Sequence, residues 1–270
     1  CSTVETKLAL LLLFVVISSG CVDQLGNGGE VQMPYRGLAI QDFSITDNTL
    51  RPQQHAIIRA SFKNYHRYID VNEVSIFNEG PHLDVQSRGC TPSTEDLEGA
   101  RQGLYPEMEC VWEVTAPEES EIDGFRERTE PVKLRLSYNG SLTNQRALAV
   151  SFQDIADIEN TTVTSRSFSN GEISASMTTE SPVAFTSGNS VELTVQNDGN
   201  GRIEGPYRFE YTPGNVFENC PSQEAPLVGS EWRQICDLSA ESTGTRNLFF
   251  TTYYKYVKEP NLDITIVNRG

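Results

Sequence analysis

Positive charge and histidine are both scarce in this chain. Lysine and arginine together number 21 against 37 acidic residues, which gives a formal net charge of −16, and there are only three histidines. Such an acidic surface repels phosphate groups, so we expect no nucleic-acid partner. No HExxH or HxH motif, Gly-x-Ser-x-Gly motif or phosphate loop occurs. The sequence therefore predicts a protein that is not an enzyme, with no catalytic set, no metal site and no cofactor.

Long apolar runs are also missing, because none reaches the roughly twenty residues of a membrane-spanning helix. The longest, Leu8–Ile17, follows Lys7 and precedes Ser18-Ser-Gly-Cys21, an order typical of a secretory signal. Ser18–Cys21 resembles the lipobox of bacterial and archaeal lipoproteins. The resemblance implies that residues 1–21 are a signal segment and that Cys21 becomes the lipid attachment point. An ordinary cleaved signal with a nearby cysteine is the alternative.

Residues 22–35 are polar and rich in Gly and Asn, with no apolar periodicity. We interpret them as a flexible tether that holds a folded region clear of the membrane. The expected location is the cell surface, on the extracellular side of the membrane, with the lipid on Cys21 as the membrane contact. The acidity also suits a protein kept soluble in high salt, which suggests an archaeal source as a hypothesis.

Long amphipathic helices are absent from the rest of the sequence, which instead shows short segments that alternate apolar and polar residues. Val132–Tyr138 alternates at nearly every position, as half-buried strands do. Antiparallel sheets are therefore favoured. Asn139-Gly140 predicts a hairpin turn after this strand, and residues 93–102 predict a short helix capped by Ser93 or Thr94.

The pattern of the first half recurs in the second half. Ile40 matches Ile173 at a shift of 133 residues, and Leu134 matches Leu248 at a shift of 114. The cysteines match in the same order, Cys90 with Cys220 and Cys110 with Cys236. A decreasing shift is what an internal duplication with shorter loops in its second copy would produce.

Each copy has six or seven short strands in about a hundred residues, which is typical of an immunoglobulin-like β-sandwich. The segment SVELTVQNDGN, Ser190–Asn200, resembles the archaeal and bacterial surface modules of the CARDB and fibronectin type III-like families. The predicted fold is all-β, with one sandwich at 36–155, a linker at 156–165 and a second sandwich at 166–270. The resemblance implies an adhesion, binding or spacer module and supplies no functional residue.

Four of the six cysteines lie in the repeated region. In an exported chain they should form disulfides. Three pairings are possible, and the repeat favours the pairing within each copy, Cys90 with Cys110 and Cys220 with Cys236. A four-thiolate zinc site would need cysteine pairs two to four residues apart, which these are not. Each bridge would contribute about 3 kcal/mol by restricting the unfolded chain.

Several other residues are candidates for surface roles. Asn139 and Asn160 begin Asn-x-Ser/Thr sequons in predicted turns, so we consider N-glycosylation possible there. The aromatic residues Phe249, Tyr253, Tyr254 and Tyr256 lie on one strand and are the candidate contact surface for an extracellular protein, a glycan or a second subunit.

We expect simple solvent-exposed roles for the histidines and for the main acidic cluster. His55, His66 and His82 lie in polar, turn-like sequence, so we expect them to be solvent-exposed. The acidic residues from Glu118 to Asp123, with Glu127 and Glu130, are interpreted as a solvated loop rather than as Ca²⁺ ligands or paired glycosidase carboxylates.

Two functions follow as hypotheses. The first is a non-enzymatic, lipid-anchored surface protein whose two domains act as an adhesion, binding or spacer module. The alternative is a subunit of an extracellular filament or envelope assembly that is joined through sheet edges.

Overall fold

The computed structural model describes residues 37–67, 69–78, 82–122, 126–186, 188–224 and 231–268. The predicted signal segment, Cys21 and the tether lie outside the described residues. The described residues all belong to one compact unit, Tyr35–Gly270. They contain strands and two 3-10 helices but no α-helix, so the expected all-β class is confirmed. Within the same ranges, no helix has the length and apolarity needed to cross a membrane.

The elements are short, except for two long strands. The strands are β1 (Leu38–Ile45), β2 (Thr49–Leu50), β3 (His55–Asn64), β4 (Asp70–Asn78), β5 (Asp84–Thr91), β6 (Glu107–Thr115), β7 (Glu127–Thr143), β8 (Leu148–Gln153), β9 (Thr162–Ser169), β10 (Ile173–Ser181), β11 (Val183–Ala184), β12 (Asn189–Asn197), β13 (Arg202–Ile203), β14 (Tyr207–Thr212), β15 (Phe217–Glu218), β16 (Gln223–Glu224), β17 (Glu231–Leu238), β18 (Gly244–Lys258) and β19 (Asn261–Val267); the 3-10 helices are Glu119–Glu121 and Ile155–Asp157.

The two halves of the unit have the same strand order. One sheet runs β1-β3-β6-β5, and a second runs β10-β12-β17-β15 with β9 added outside β10. The sequence repeat aligns these same strands, because Ile40 lies in β1 and Ile173 in β10. In β3 and β12 alternate residues are buried, as a strand with one face on a core requires.

A third sheet of ten strands contains the long strands β7 and β18 and joins the two halves. β7 pairs antiparallel with β18 from Leu136–Lys258 to Thr143–Thr251, and then with β19 from Lys133–Asn261 to Glu127–Val267. β18 continues past β7 and pairs with β8 from Leu248–Leu148 to Gly244–Phe152. The segments β7–β8 and β18–β19 therefore form one long antiparallel ribbon.

The final strand of each half completes the sheet of the other half. β8 follows β7 in sequence but pairs with β18 and, in parallel, with β11. β19 follows β18 but pairs with β7 and, in parallel, with β2. We call this arrangement the strand exchange. It means that neither half has a complete set of strands from its own stretch of sequence.

Within the second half, the facing sheets pack through aromatic rings. Phe209 of β14 stacks on Trp232 of β17 with ring centroids 4.4 Å apart, and on Phe250 of β18 at 5.6 Å. All three side chains are buried. β14 and β18 belong to one sheet and β17 to another, so these contacts join two layers of a sandwich-like core.

The sequence boundaries 36–155, 156–165 and 166–270 do not coincide with separate sheets, because the ten-stranded sheet contains strands from both sides of the boundary. The end of the expected linker, from Thr162 onward, belongs to β9. Alternation in a sequence indicates which face of a strand is buried, but it does not specify the pairing partner. The exchange was therefore not visible in the sequence pattern.

Two local predictions were wrong. Asn139-Gly140 is not a hairpin turn but lies inside β7. A Cβ atom on Gly140 would stand 2.8 Å from Cζ of Tyr254, so glycine is needed there for close approach to β18 rather than for a turn. Residues 93–102 form no helix; Ser93 and Asp96 instead close a turn, in which the Asp96 N–H donates to the Ser93 carbonyl at 3.1 Å.

Candidate functional site

One glutamate of the second half is buried where the two halves meet. Glu172 directly precedes β10, and its relative exposure is 4%. Its carboxylate is surrounded by side chains from three other parts of the chain: Tyr138 of β7, Tyr254 and Lys258 of β18, and His66, which follows β3. We call these five residues the junction cluster.

Each carboxylate oxygen of Glu172 has two donor groups beside it. The Tyr138 hydroxyl donates to Oε1, and Lys258 Nζ lies 3.4 Å from the same oxygen. The Tyr254 hydroxyl donates to Oε2 at 3.0 Å, and His66 Nε2 lies 3.5 Å from that oxygen. This arrangement compensates for the loss of hydration that a buried carboxylate suffers.

The pKa of Glu172 reflects two opposing effects. Burial by itself would raise the pKa, because it disfavours the charged form. The hydrogen bond with His66, the charge of Lys258 and the Tyr138 hydroxyl outweigh burial, so the pKa of Glu172 lies below its ordinary value. Burial, and next the negative charge of Glu172, raise the pKa values of Tyr138 and Tyr254 well above the ordinary range. The cluster thus contains an ionised carboxylate and two neutral phenols at neutral pH.

Local structure holds Glu172 in position. The Asn170 side-chain oxygen accepts the backbone N–H groups of Glu172 at 3.1 Å and Ile173 at 3.0 Å, while Asn170 Nδ2 donates to the Tyr254 hydroxyl at 2.5 Å. On the other side, a Cβ atom on Gly37 would collide with the Glu172 carboxylate. Any side chain at residue 37 would therefore have to displace the buried Glu172 carboxylate.

Lys258 connects the cluster to the first strand. Its Nζ donates to the Leu38 carbonyl of β1 at 2.7 Å and lies over the rings of Tyr138 and Tyr256, 5.7 and 5.5 Å from their centroids. A lysine ammonium gains from such ring contacts, more so when it is desolvated. The cluster therefore ties β1, β7, β18 and the turn before β10 together.

A cleft of about 800 Å³ opens beside the junction cluster. One wall is Gly37 together with the start of β1, residues Ala39, Ile40 and Gln41. The other walls are the turns 170–172 and 198–200, together with Tyr256 and Lys258. The polar groups of Glu172, Lys258 and Tyr256 are hydrogen-bonded inside the protein, so no unsatisfied group of these three identifies a ligand for the cleft.

A second polar network crosses between the halves nearer the surface. Arg135 of β7 donates to Glu73 at 3.1 Å, to Glu204 at 2.7 Å and to Glu259 at 2.5 Å. Lys255 Nζ lies 2.7 Å from Glu204. The hydrogen bonds from Lys255 and Arg135 lower the pKa of Glu204 to about 2. Because an arginine bridges three carboxylates, this network adds charge-assisted contacts across the same junction.

The geometry of the junction cluster favours a structural role over that of a general acid. A general acid needs a carboxyl group whose pKa is raised toward the working pH, whereas the pKa of Glu172 is lowered. Among the described residues, no group of three or more His, Cys, Asp or Glu side chains is arranged to hold a metal ion. The contacts of the cluster can hold the two halves in one fixed arrangement.

The four repeat cysteines form two disulfides within the structure. Cys90 of β5 is bonded to Cys110 of β6, and Cys220 to Cys236 of β17. Cys90 and Cys110 are directly opposite each other on neighbouring strands. Both bonds thus lie within a repeat, which is the pairing that the repeat favoured, and neither links the two halves.

The two sequon asparagines lie in different settings. Asn139 is an exposed residue within β7, and its Nδ2 donates to Asp70 at 3.1 Å and to Asn72 at 3.0 Å. Asn160 is exposed in the segment before β9. Asn160 is therefore the more accessible acceptor, because the side-chain nitrogen of Asn139 is already engaged.

The predicted aromatic contact surface needs correction. Tyr254 and Tyr256 are 3% and 0% exposed and point into the core, so they cannot contact a partner. Phe249 and Tyr253 lie on the opposite face of β18 and are partly exposed. The Tyr253 hydroxyl donates to Glu210 at 2.8 Å. Strand alternation separates the four residues into a buried pair and a surface pair.

Two charged or titratable residues expected in solvent are buried instead. His66 is 7% exposed, because it belongs to the junction cluster, whereas His55 is largely exposed. Glu130 is 1% exposed rather than part of a solvated loop, and the Arg128 guanidinium lies 3.1 Å from it. Asp123 lies outside the described residues.

Glu172 was not among the site residues predicted from the sequence. It stands alone in a turn, and its partners are distant in the chain.

Comparisons with known proteins add little to this geometry. No protein-family model matches the chain, and no curated protein matches it. Among solved structures, the crystal structure of collagen adhesin (CNA) from S. aureus aligns with 85% of this chain and 92% of that chain, at 6% identity and a TM-score of 0.15. At that TM-score, the likeness carries no argument about this protein.

Proposed function

We propose that the protein is a non-enzymatic surface protein, anchored by a lipid on Cys21, that presents a disulfide-bonded β-unit outside the membrane as a binding or spacer module. The observation that carries the proposal is the pair of disulfides, Cys90–Cys110 and Cys220–Cys236, in an all-β unit. Disulfides persist in oxidising compartments and are rare in the cytosol. The secretory pattern Lys7–Cys21 supports the same location.

The junction contacts fit a spacer or display role. A binding surface gains from a fixed shape, since mobile parts within the folded unit add an entropic cost to binding. The strand exchange and the junction cluster supply many contacts between the halves. These contacts would therefore keep the displayed surface rigid.

The alternative proposal is a subunit of an extracellular filament or envelope layer. The observation that favours it is the presence of strands of eight or nine residues at sheet edges, which can pair with another chain. It differs from the first proposal in one respect: each subunit must contact at least two other copies, so that the assembly can extend.

We expect Cys21→Ser to release the protein from membranes into the soluble fraction. The sulfur of Cys21 is the proposed attachment atom, and a serine cannot form the thioether. The measurement is membrane fractionation together with incorporation of a labelled lipid precursor. Cys1→Ser is the matched control and should leave both unchanged. A wild-type protein that takes up no labelled lipid, or a Cys21→Ser protein that stays on the membrane, contradicts the anchor.

A further inference from the structure

The outer edge of β9 is the least protected sheet edge in the described part of the chain. β9 lies at the end of its sheet and pairs there only with β10. The pairing is regular over eight consecutive residues, from Thr162–Ser181 to Ser169–Ser174, with no bulge. Most of its side chains are exposed, and Val163 is 72% exposed. A regular strand with a free row of backbone groups is a template for pairing with another strand.

The edge strands β1, β4 and β5 have features that discourage such pairing. β1 has an irregularity in its register between Ile40 and Asp42, β4 between Val71 and Glu73, and β5 between Ser87 and Gly89. Bulges twist an edge and interrupt its row of free groups. Each of these strands also contains acidic residues: Asp42 in β1, Asp70 and Glu73 in β4, and Asp84 in β5.

The charge of β9 identifies the kind of strand that can join it. In a protein with a net charge of −16, two copies repel each other wherever acidic edges meet. The sequence of β9, TVTSRSFS, contains no acid and only one charged residue, Arg166. It is therefore the long edge at which a second copy can approach without placing carboxylates against carboxylates.

We propose that β9 pairs antiparallel with β9 of a second copy across a twofold axis, which joins the two five-stranded sheets into one. This goes beyond the proposed function, because it assigns the surface of self-association. A twofold axis between antiparallel strands is perpendicular to the sheet, so opposed residues face the same side. Centring the axis on Arg166 would oppose two guanidinium groups, which is unfavourable.

Centring the axis on Ser165 avoids this repulsion. Ser165 then lies opposite Ser165 of the partner subunit, and Arg166 lies opposite Thr164 of the partner subunit. Val163 lies opposite Ser167 of the partner subunit and loses much of its exposure. Closed twofold dimers are the commonest symmetric assemblies, and this contact uses the same edge on both copies.

Sedimentation velocity of the full chain tests the association. At about 100 µM protein we expect a dimer, which added salt strengthens by screening the net negative charge. Val163→Lys should weaken the dimer by at least about tenfold, since lysine on an edge strand prevents pairing with another strand.

Ile235→Lys is the matched control. Ile235 is 59% exposed on β17, an inner strand of the same sheet, and the dimer should be unaffected. A protein that remains monomeric in all salts, or equal effects of both variants, overturns the proposal.

Cysteine cross-linking tests the register independently of stability. Under mild oxidation, Ser165→Cys should give a covalent dimer in high yield, because residue 165 faces its own copy. Ser190→Cys, an exposed residue of the inner strand β12, should stay monomeric. A Ser165→Cys chain that does not cross-link, while its melting temperature matches the wild type, overturns the proposal, and so does equal cross-linking of Ser190→Cys.

Discussion

Replacing Glu172 by glutamine should lower the free energy of unfolding by about 3 kcal/mol, the lower end of the cost of breaking a buried charge pair. The substitution leaves Lys258 largely buried without its countercharge and gives the Tyr138 and Tyr254 hydroxyls a weaker acceptor. Urea unfolding followed by circular dichroism measures the change. The loss of stability should affect the unfolding of the whole unit, because the junction cluster joins both halves.

The effect of Glu172→Gln should also depend on pH. The pKa of Glu172 is lower in the folded than in the unfolded protein, so its stabilisation is fully present above the unfolded value of about 4.3. It is lost as the pH falls through the folded pKa. The stability difference between wild type and variant should therefore be constant near neutral pH and shrink progressively below about pH 4.3.

A surface pair provides the control for this experiment. Glu192 accepts a hydrogen bond from Arg233 at 2.6 Å, but both side chains are partly exposed. Glu192→Gln should cost less than about 1 kcal/mol, as exposed ion pairs usually do. Equal losses for the two variants, or a Glu172→Gln effect that does not change in acid, would contradict the role assigned to the junction cluster.

Ile264→Ala should loosen the first half of the protein, although Ile264 belongs to the last strand of the second half. Ile264 is fully buried in β19 and lies opposite Glu130 of β7. Its truncation should cost about 2–5 kcal/mol. Hydrogen exchange should show lost protection first in β2 and in the start of β7, which are the neighbours of β19.

The reciprocal substitution provides the matched control. Val150 is fully buried in β8, which pairs with β18 and β11 of the second half. Val150→Ala should reduce protection in β11 and in the start of β18. If each variant instead loosened only the half to which it belongs in sequence, the strand exchange would be wrong.

Much of the secondary structure followed from the sequence, because alternation and turn residues act locally. The segment Val132–Tyr138 lies in a strand as predicted, and the all-β class follows from alternating segments of this kind. The strand exchange could not be predicted in this way. β8 has the same alternation whether it completes its own sheet or the other one, and the choice depends on long-range pairing.

The junction cluster was partly foreseeable. Tyr138 follows Leu134 and Leu136 at an inward-facing position of its strand, and a buried tyrosine hydroxyl usually has a hydrogen-bond partner. The sequence thus indicated a polar group in the core without identifying it. Glu172 is 34 residues from Tyr138 and 82 from Tyr254, so only the folded arrangement brings them together.

The strand exchange should make the two halves one folding unit. The most direct test is to produce residues 37–160 and 161–268 as separate chains and to measure their thermal unfolding by circular dichroism. The first fragment lacks β19 and the second lacks β8, which each sheet needs from the other half. We predict that neither fragment alone shows a cooperative transition, and that mixing them restores one. A fragment that unfolds cooperatively by itself would contradict this prediction.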